Sequence, residues 1–312
     1  MISFFKQLYC RALLELDLAI WWYQTTKLRK NQFSYTKVVL VSNLMTTIAT
    51  SKVEALYVAA LRDRGFKIYV LLHTPNSIIQ RIFCATGPTD FIYFTDFKEK
   101  HSDGENKDYA RVVLQEYRDR EDLSTFEIDG FRIGRNALSL ATRNLRVGKI
   151  DFAEPDHISE VESNLAISIA AKTISQKIIS VIEPDLAIFL ERGYSPAGEL
   201  FDACLKKKVD VVHWAGAPQN GKFLFKRYDL RNRDQHPLAL SEDTWHKIKS
   251  MIIKPEFRSQ LLQDIRNHYH EGAWYNRQQL QTGKKIFDRA QTLNLLGVSP
   301  GRKVAVIFSH IL

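Results

Sequence analysis

The feature that most constrains this chain is the alternation of short apolar runs with helical segments between residues 37 and 213. Lys37–Ser42 (KVVLVS) is apolar and β-branched almost throughout, the composition of a strand buried on both faces. A polar loop, Asn43 to Ser51, leads to a predicted helix at Lys52–Arg64, which Gly65 ends. Phe66–Leu72 (FKIYVLL) is a second strand and closes at His73. A helix at Ser77–Cys84 and the run Phe91–Phe94 (FIYF) make a third unit. A charged loop, Lys98–Asp108, precedes a helix at Tyr109–Arg120. This repetition predicts an α/β fold: a Rossmann-like parallel sheet with helices on both faces.

The segments beyond it are less regular. Phe126–Gly134 (FEIDGFRIG) reads as a short hairpin, or a strand with a tight turn at Asp129-Gly130. Helices follow at Arg135–Arg146 and Ser159–Val181, then a strand at Leu186–Leu190, a helix at Ala197–Lys207 and a strand at Val209–His213. From Ser241, a predicted N-cap, to Leu296 the pattern is almost wholly helical. Lys303–Ser309 (KVAVIFS) then reads as a fresh strand. Ile2–Lys30 is one long predicted helix with Phe5, Leu8, Ala12, Leu16, Ala19 and Tyr23 at helical spacing. Lys6, Arg11, Glu15 and Asp17 interrupt its apolar run, so it does not read as a simple membrane span, and no cleavage site marks a secretory signal. Two uses of this helix stay open: packing on the following domain, or contact with a membrane interface through Trp21-Trp22-Tyr23 and the basic residues after them.

Charge is distributed unevenly. Of the net +9, residues 1–36 carry +3, residues 37–221 carry −2 and residues 222–312 carry +8. The basic excess belongs to the two ends, and no nucleic-acid-binding signature accompanies it, so nucleic acid is not an expected partner. The 3 cysteines, Cys10, Cys84 and Cys204, stand far apart and form no metal-ligand pattern, which argues against a structural metal and for a reducing compartment. The loop after the first strand lacks glycine, and no Walker A, GxGxxG, GxSxG or HExxH motif occurs. A dehydrogenase or P-loop enzyme is therefore disfavoured.

In open parallel sheets, ligands bind beyond the carboxyl ends of the strands where strand order reverses. Asn43–Thr47 and Glu191–Tyr194 are the loops placed there by an order such as 3-2-1-4-5. Glu191 follows an apolar strand and precedes a helix, and a carboxylate in that place can act as general base toward a hydroxyl. The alternative is that it pairs with Arg192 or caps the helix. His73 and His213 end strands at the same edge, each either functional or structural. Trp214 is either a sugar-stacking platform or a core residue.

Four segments carry a family resemblance: GFRIGRNALSLATR (Gly130–Arg143), PDLAIFLERGYSPAGELFDAC (Pro184–Cys204), KRYDLRNRDQHPLALSEDTW (Lys226–Trp245) and RKVAVIFSHIL (Arg302–Leu312). They resemble the capsular and surface polysaccharide glycosyltransferases of GT-B fold, in which two Rossmann-type domains face a cleft. The resemblance implies an N-terminal helix (1–36), an acceptor-side domain (37–240), a helical connector (241–301) and the first strand of a donor-binding domain (302–312). The rest of that domain would be missing, so a truncated chain, inactive by itself, is expected.

By the same resemblance the activity would be sugar transfer from a nucleotide sugar, a co-substrate and not a cofactor, to a glycan or lipid-linked hydroxyl. It would take place in the cytoplasm, at the inner face of the membrane, without a metal. Glu191 would be the base, with His213 as second candidate. Asn43, His73 and Arg192 would orient the acceptor, and Thr46, Gly134, Gly193, Tyr194 and Trp214 would complete the binding surface. A sugar-nucleotide epimerase, a non-catalytic glycan-binding module and a membrane-surface adaptor are the competing expectations.

Overall fold

The computed structural model describes residues 2–28, 37–44, 47–98, 102–117, 120–217, 222–271, 287–299 and 301–302. The sheet begins with β1 (Lys37–Asn43), β2 (Phe66–Leu72) and β3 (Asp90–Tyr93). It continues with β4 (Leu186–Phe189), β5 (Asp210–Gly216) and β6 (Phe223–Tyr228), in the order β3-β2-β1-β4-β5-β6. The pairs β1–β2, β2–β3, β1–β4 and β4–β5 are parallel. This is the doubly wound Rossmann order, with its reversal between β1 and β4. In the β1–β4 ladder Ser42 stands opposite Phe189, and in the β4–β5 ladder Phe189 stands opposite His213.

The helices are α1 (Ile2–Thr25), α2 (Ile48–Arg62), α3 (Ser77–Cys84), α4 (Ser102–Glu116) and α5 (Arg120–Ser124). After them come α6 (Ile133–Leu145), α7 (Pro155–Ile182) and α8 (Ala197–Lys206). Central β-branched strands have no solvated face: Val39, Leu40, Val41, Val70 and Leu71 are all buried. Helix α7 packs against α4, α6 and α8 and supplies Leu165, Ile174 and Ile178 to the core. Among the described residues it is the one helix long and apolar enough to cross a membrane, and half of its apolar window is buried inside the protein.

By contacts the chain divides into two compact units, one comprising Met1–His213 with Arg227–Arg233, the other Trp214–Lys226 with Asp234–His310. In the second unit, α9 (Glu242–Ser250), α10 (Pro255–Glu271) and α11 (Arg289–Leu295) are separate helices. The Ser241 hydroxyl accepts from the Thr244 N–H (3.2 Å), the predicted N-cap. The expected continuous helix breaks at Met251–Lys254, because the ring of Pro255 disfavours helical backbone in the residue before it and suits the first position of a new helix. The predicted strand at Lys303–Ser309, Thr46 and the end of the N-terminal helix at Lys30 lie outside the described residues.

Two further expectations need correction. The charged segment read as a loop is helical from Ser102 to Glu116. The hairpin at 126–134 reduces to a single bridge, Ile128 with Phe131, across a turn with Asp129 and Gly130 at positive φ (51° and 75°). The Gly134 N–H donates to the Phe126 carbonyl (3.0 Å), and α6 starts at once. Strand β6 leaves no apolar run in the sequence because most of its residues are exposed.

Gly134 was expected at the binding surface, but it is buried at the start of α6. A Cβ there would stand 1.7 Å from the Leu123 carbonyl oxygen, so the residue is glycine for packing. Gly134→Ala is accordingly expected to destabilise the protein by about 2 kcal/mol or more, read as a lower urea midpoint at unchanged slope.

The N-terminal helix packs on the following domain, one of the two uses left open, through residues outside the apolar spacing read from the sequence. Leu18, Trp21 and Thr25 are buried, whereas Leu16 and Tyr23 are exposed. The Trp21 indole N–H donates to the Ile82 carbonyl (3.0 Å) and the Thr25 hydroxyl to the Ala85 carbonyl (3.0 Å). Polar groups with partners on α3 thus decide which face turns inward, a choice that apolar spacing alone does not reveal.

Candidate functional site

The β1–β4 switch point carries a small cavity lined by Ser42, Asn43, Leu44, Thr50, Glu54, Leu190, Glu191 and Ala197. Its volume is about 10 Å³, room for about one water and not for a sugar ring, so a larger ligand would lie over its mouth. Each side of the site is set by a different element. β1 delivers Asn43 at its last position, and α2 packs Ser51 and Glu54 against it. The Asn43 side-chain amide donates to the Ser51 hydroxyl (3.2 Å) and to Oε2 of the Glu54 carboxylate. Both Asn43 and Glu54 are buried. The hydroxyl of Thr47 accepts from the Thr50 N–H (3.2 Å) and caps α2.

Across the switch, β4 ends at Phe189 and the chain turns through Leu190 and Glu191 toward α8. Burial raises the pKa of Glu191 above the usual carboxylate range, and the positive charge of Arg143 partly opposes that shift. The Arg143 guanidinium lies 5.0 Å from the ring centre of Tyr194. Arg192 turns elsewhere. It donates to the Arg233 carbonyl (2.7 Å) and stacks on Tyr228 (4.4 Å) and Phe201 (5.2 Å). Burial lowers its pKa, and the nearby Tyr228 acts in the opposite sense. The alternative in which Glu191 pairs with Arg192 therefore loses its partner. Helix α8 is preceded by Pro196 and has no side-chain cap.

Behind the cavity, the first turn of α8 buries a second carboxylate completely. Glu199 accepts from the Ser195 hydroxyl (2.9 Å), the Asn136 amide (3.2 Å) and the Ser168 hydroxyl. Burial pushes its pKa up to about 7, against the opposing pull of Ser168, its own backbone N–H, Ser195 and Asn136. Gly198 allows this approach, since a Cβ there would stand 2.5 Å from the Asn136 side chain. The sign of the linkage follows. The folded state holds the Glu199 proton more tightly than the unfolded chain, so stability falls as pH rises from about 4.5 to about 7. The full cost, about 3 kcal/mol, is present above that window and absent below it. Denaturant titrations across this range are expected to show the loss in the wild type and not in Glu199→Gln.

The remaining predicted residues are placed apart from the cavity lining. His73 is exposed and stacks on Phe94 (ring centres 5.9 Å, 20° between planes). His213 is buried and meets Tyr228 edge-on at 6.3 Å. Trp214 is buried with an edge contact to Phe223 (5.8 Å), so it presents no open stacking face. Gly193 is exposed with open space around its Cα. The structure thus brings Asn43 and Glu191 together from the predicted set. It adds Glu54, Thr50 and Ala197 at the cavity and Glu199 behind it. Glu54 had a readable signal: it shares a helical face with the apolar Ala55 and Val58. Glu199 had one too, as an acidic residue within a helix buried along nearly its whole length.

Among the described residues no cluster of His, Cys, Asp and Glu could hold a metal ion. Neither the protein-family models nor the curated proteins contain a match to this chain.

Proposed function

We propose that this chain is the acceptor side of a glycosyltransferase of GT-B type, transferring sugar from a nucleotide sugar to a glycan or lipid-linked hydroxyl in the cytoplasm. The observation that carries the reading is Glu191, a partly buried carboxylate with raised pKa at the mouth of the switch-point cavity. In the step proposed, the carboxylate of Glu191 takes the acceptor hydroxyl proton. The acceptor oxygen bonds to the anomeric carbon, and the bond from that carbon to the phosphate oxygen breaks with its electron pair leaving on the diphosphate. Burial raises the pKa of Glu191, which gives its carboxylate more driving force for proton uptake than an ordinary carboxylate has. Asn43, held by Ser51 and Glu54, would orient the acceptor from the β1 side. Donor contacts are assigned to no described residue.

The test is nucleoside diphosphate release from UDP- and GDP-hexoses, with and without an oligosaccharide acceptor panel, by the chain joined to the donor-binding domain that this reading requires. Release that requires acceptor supports transfer. Conversion of the nucleotide sugar without acceptor supports an epimerase instead. A glycan-binding module is the second reading, favoured by the shallow cavity. It gives oligosaccharide binding with no release under any condition.

A further inference from the structure

We infer that α1 is a docking surface for an anionic membrane, which it meets with the face turned away from the protein. The inference rests on the outer surface of that helix and is independent of the role given to Glu191. Helix α1 is attached by Leu18, Trp21 and Thr25. On the opposite side Tyr9, Leu13, Leu16, Ile20 and Tyr23 recur at the spacing of one helical stripe, and each is between 47% and 83% exposed. Isolated exposed apolar residues are ordinary, but a continuous stripe over four turns is a binding surface.

Charge decides what covers it. The helix contains two acids, Glu15 and Asp17, each about half exposed and each paired with a base on a neighbouring helix. Glu15 pairs with Arg81 of α3 (2.8 Å), and Asp17 pairs with Lys52 of α2 (2.7 Å). The outward stripe therefore carries no acid, and Lys6 and Lys27 stand at its two ends, both exposed. The whole segment 1–36 has net charge +3. An apolar stripe bounded by lysines, with an exposed tyrosine near its end, matches the acyl boundary below a layer of anionic headgroups. Helix α1 does not pass as a span among the described helices, so it would lie in the interface plane and not cross it.

The experiment is co-sedimentation of the chain with phosphatidylcholine vesicles, with and without phosphatidylglycerol, beside light scattering without lipid. The wild type is expected to sediment with the anionic vesicles and much less with the neutral ones, and to lose binding at high salt. Leu16→Asp/Ile20→Asp is expected to weaken binding about tenfold or more with an unchanged thermal transition, since neither side chain is buried. Lys6→Gln and Lys27→Gln each weaken it about fivefold on anionic vesicles only, and they read the charge separately because the apolar stripe stays intact. Failure to sediment with anionic vesicles, or equal binding to neutral ones, overturns the inference. So does a concentration-dependent dimer without lipid that Leu16→Asp/Ile20→Asp abolishes, because the stripe would then be an interface between copies.

Discussion

In the chain joined to a donor-binding domain, Glu191→Gln is expected to lower acceptor-dependent turnover by about 10²–10⁴-fold, the usual worth of a positioned general base. The substitution keeps the shape of the side chain and removes only its capacity to take a proton. Its effect on stability should be small and, above the raised pKa of Glu191, favourable, because burial already disfavours the charged form. Binding of acceptor should change little, so the loss would appear in kcat more than in KM. Near-wild-type turnover in a folded Glu191→Gln protein would remove Glu191 from the chemistry. Asn43→Ala would act differently. It removes one hydrogen bond to the buried Glu54 carboxylate, so it combines weaker acceptor positioning with a loss of stability.

The largest stability effect is expected at Asp202→Ala, about 3–5 kcal/mol by urea unfolding. Asp202 on α8 is almost wholly buried and receives three hydrogen bonds from one residue. Its Oδ2 accepts from the Arg132 backbone N–H (3.0 Å) and Nε (3.2 Å), and its Oδ1 accepts from Nη2 (2.7 Å). The Arg132 side chain is itself buried, so truncating the aspartate removes its buried counter-charge. Replacing both residues with apolar ones of similar size, Arg132→Met with Asp202→Leu, should recover much of the loss, since the double change leaves no buried charge. This pair joins the entry of α6 to α8 and so fixes the scaffold behind Glu199. A loss below about 1 kcal/mol in Asp202→Ala would mean that the pair is not held as described.

The parallel core was legible because its strands are buried on both faces and leave continuous apolar runs; β2 and α3 begin and end where the sequence pattern puts them. The switch point was legible from strand order alone, which is why Asn43 and Glu191 were found together. Side-chain direction was not legible. Arg192, adjacent to Glu191 in sequence, turns to the aromatic faces of Tyr228 and Phe201, residues that only the tertiary fold brings near. The carboxylates Glu54 and Glu199 sit on helix faces that spacing assigns to the core, and their polar partners come from β1 and from α6 and α7. For α1, apolar periodicity showed an amphipathic helix but not which of its faces meets the body. The indole of Trp21 and the hydroxyl of Thr25 have carbonyl partners on and beside α3, and these direct their own face to the body. Edge strand β6 lacked a readable signal because it buries little.

The pH dependence of kcat/KM for acceptor-dependent nucleoside diphosphate release tests the central claim most directly. A base must be ionised to act, so the rate should rise with pH through the Glu191 pKa and level off above it. Since burial raises that pKa, the acid limb should lie above the range of an exposed glutamate and should be missing from the residual activity of Glu191→Gln. An acid limb that persists unchanged in Glu191→Gln, or a rate independent of pH from the carboxylate range to neutrality, would contradict the assignment.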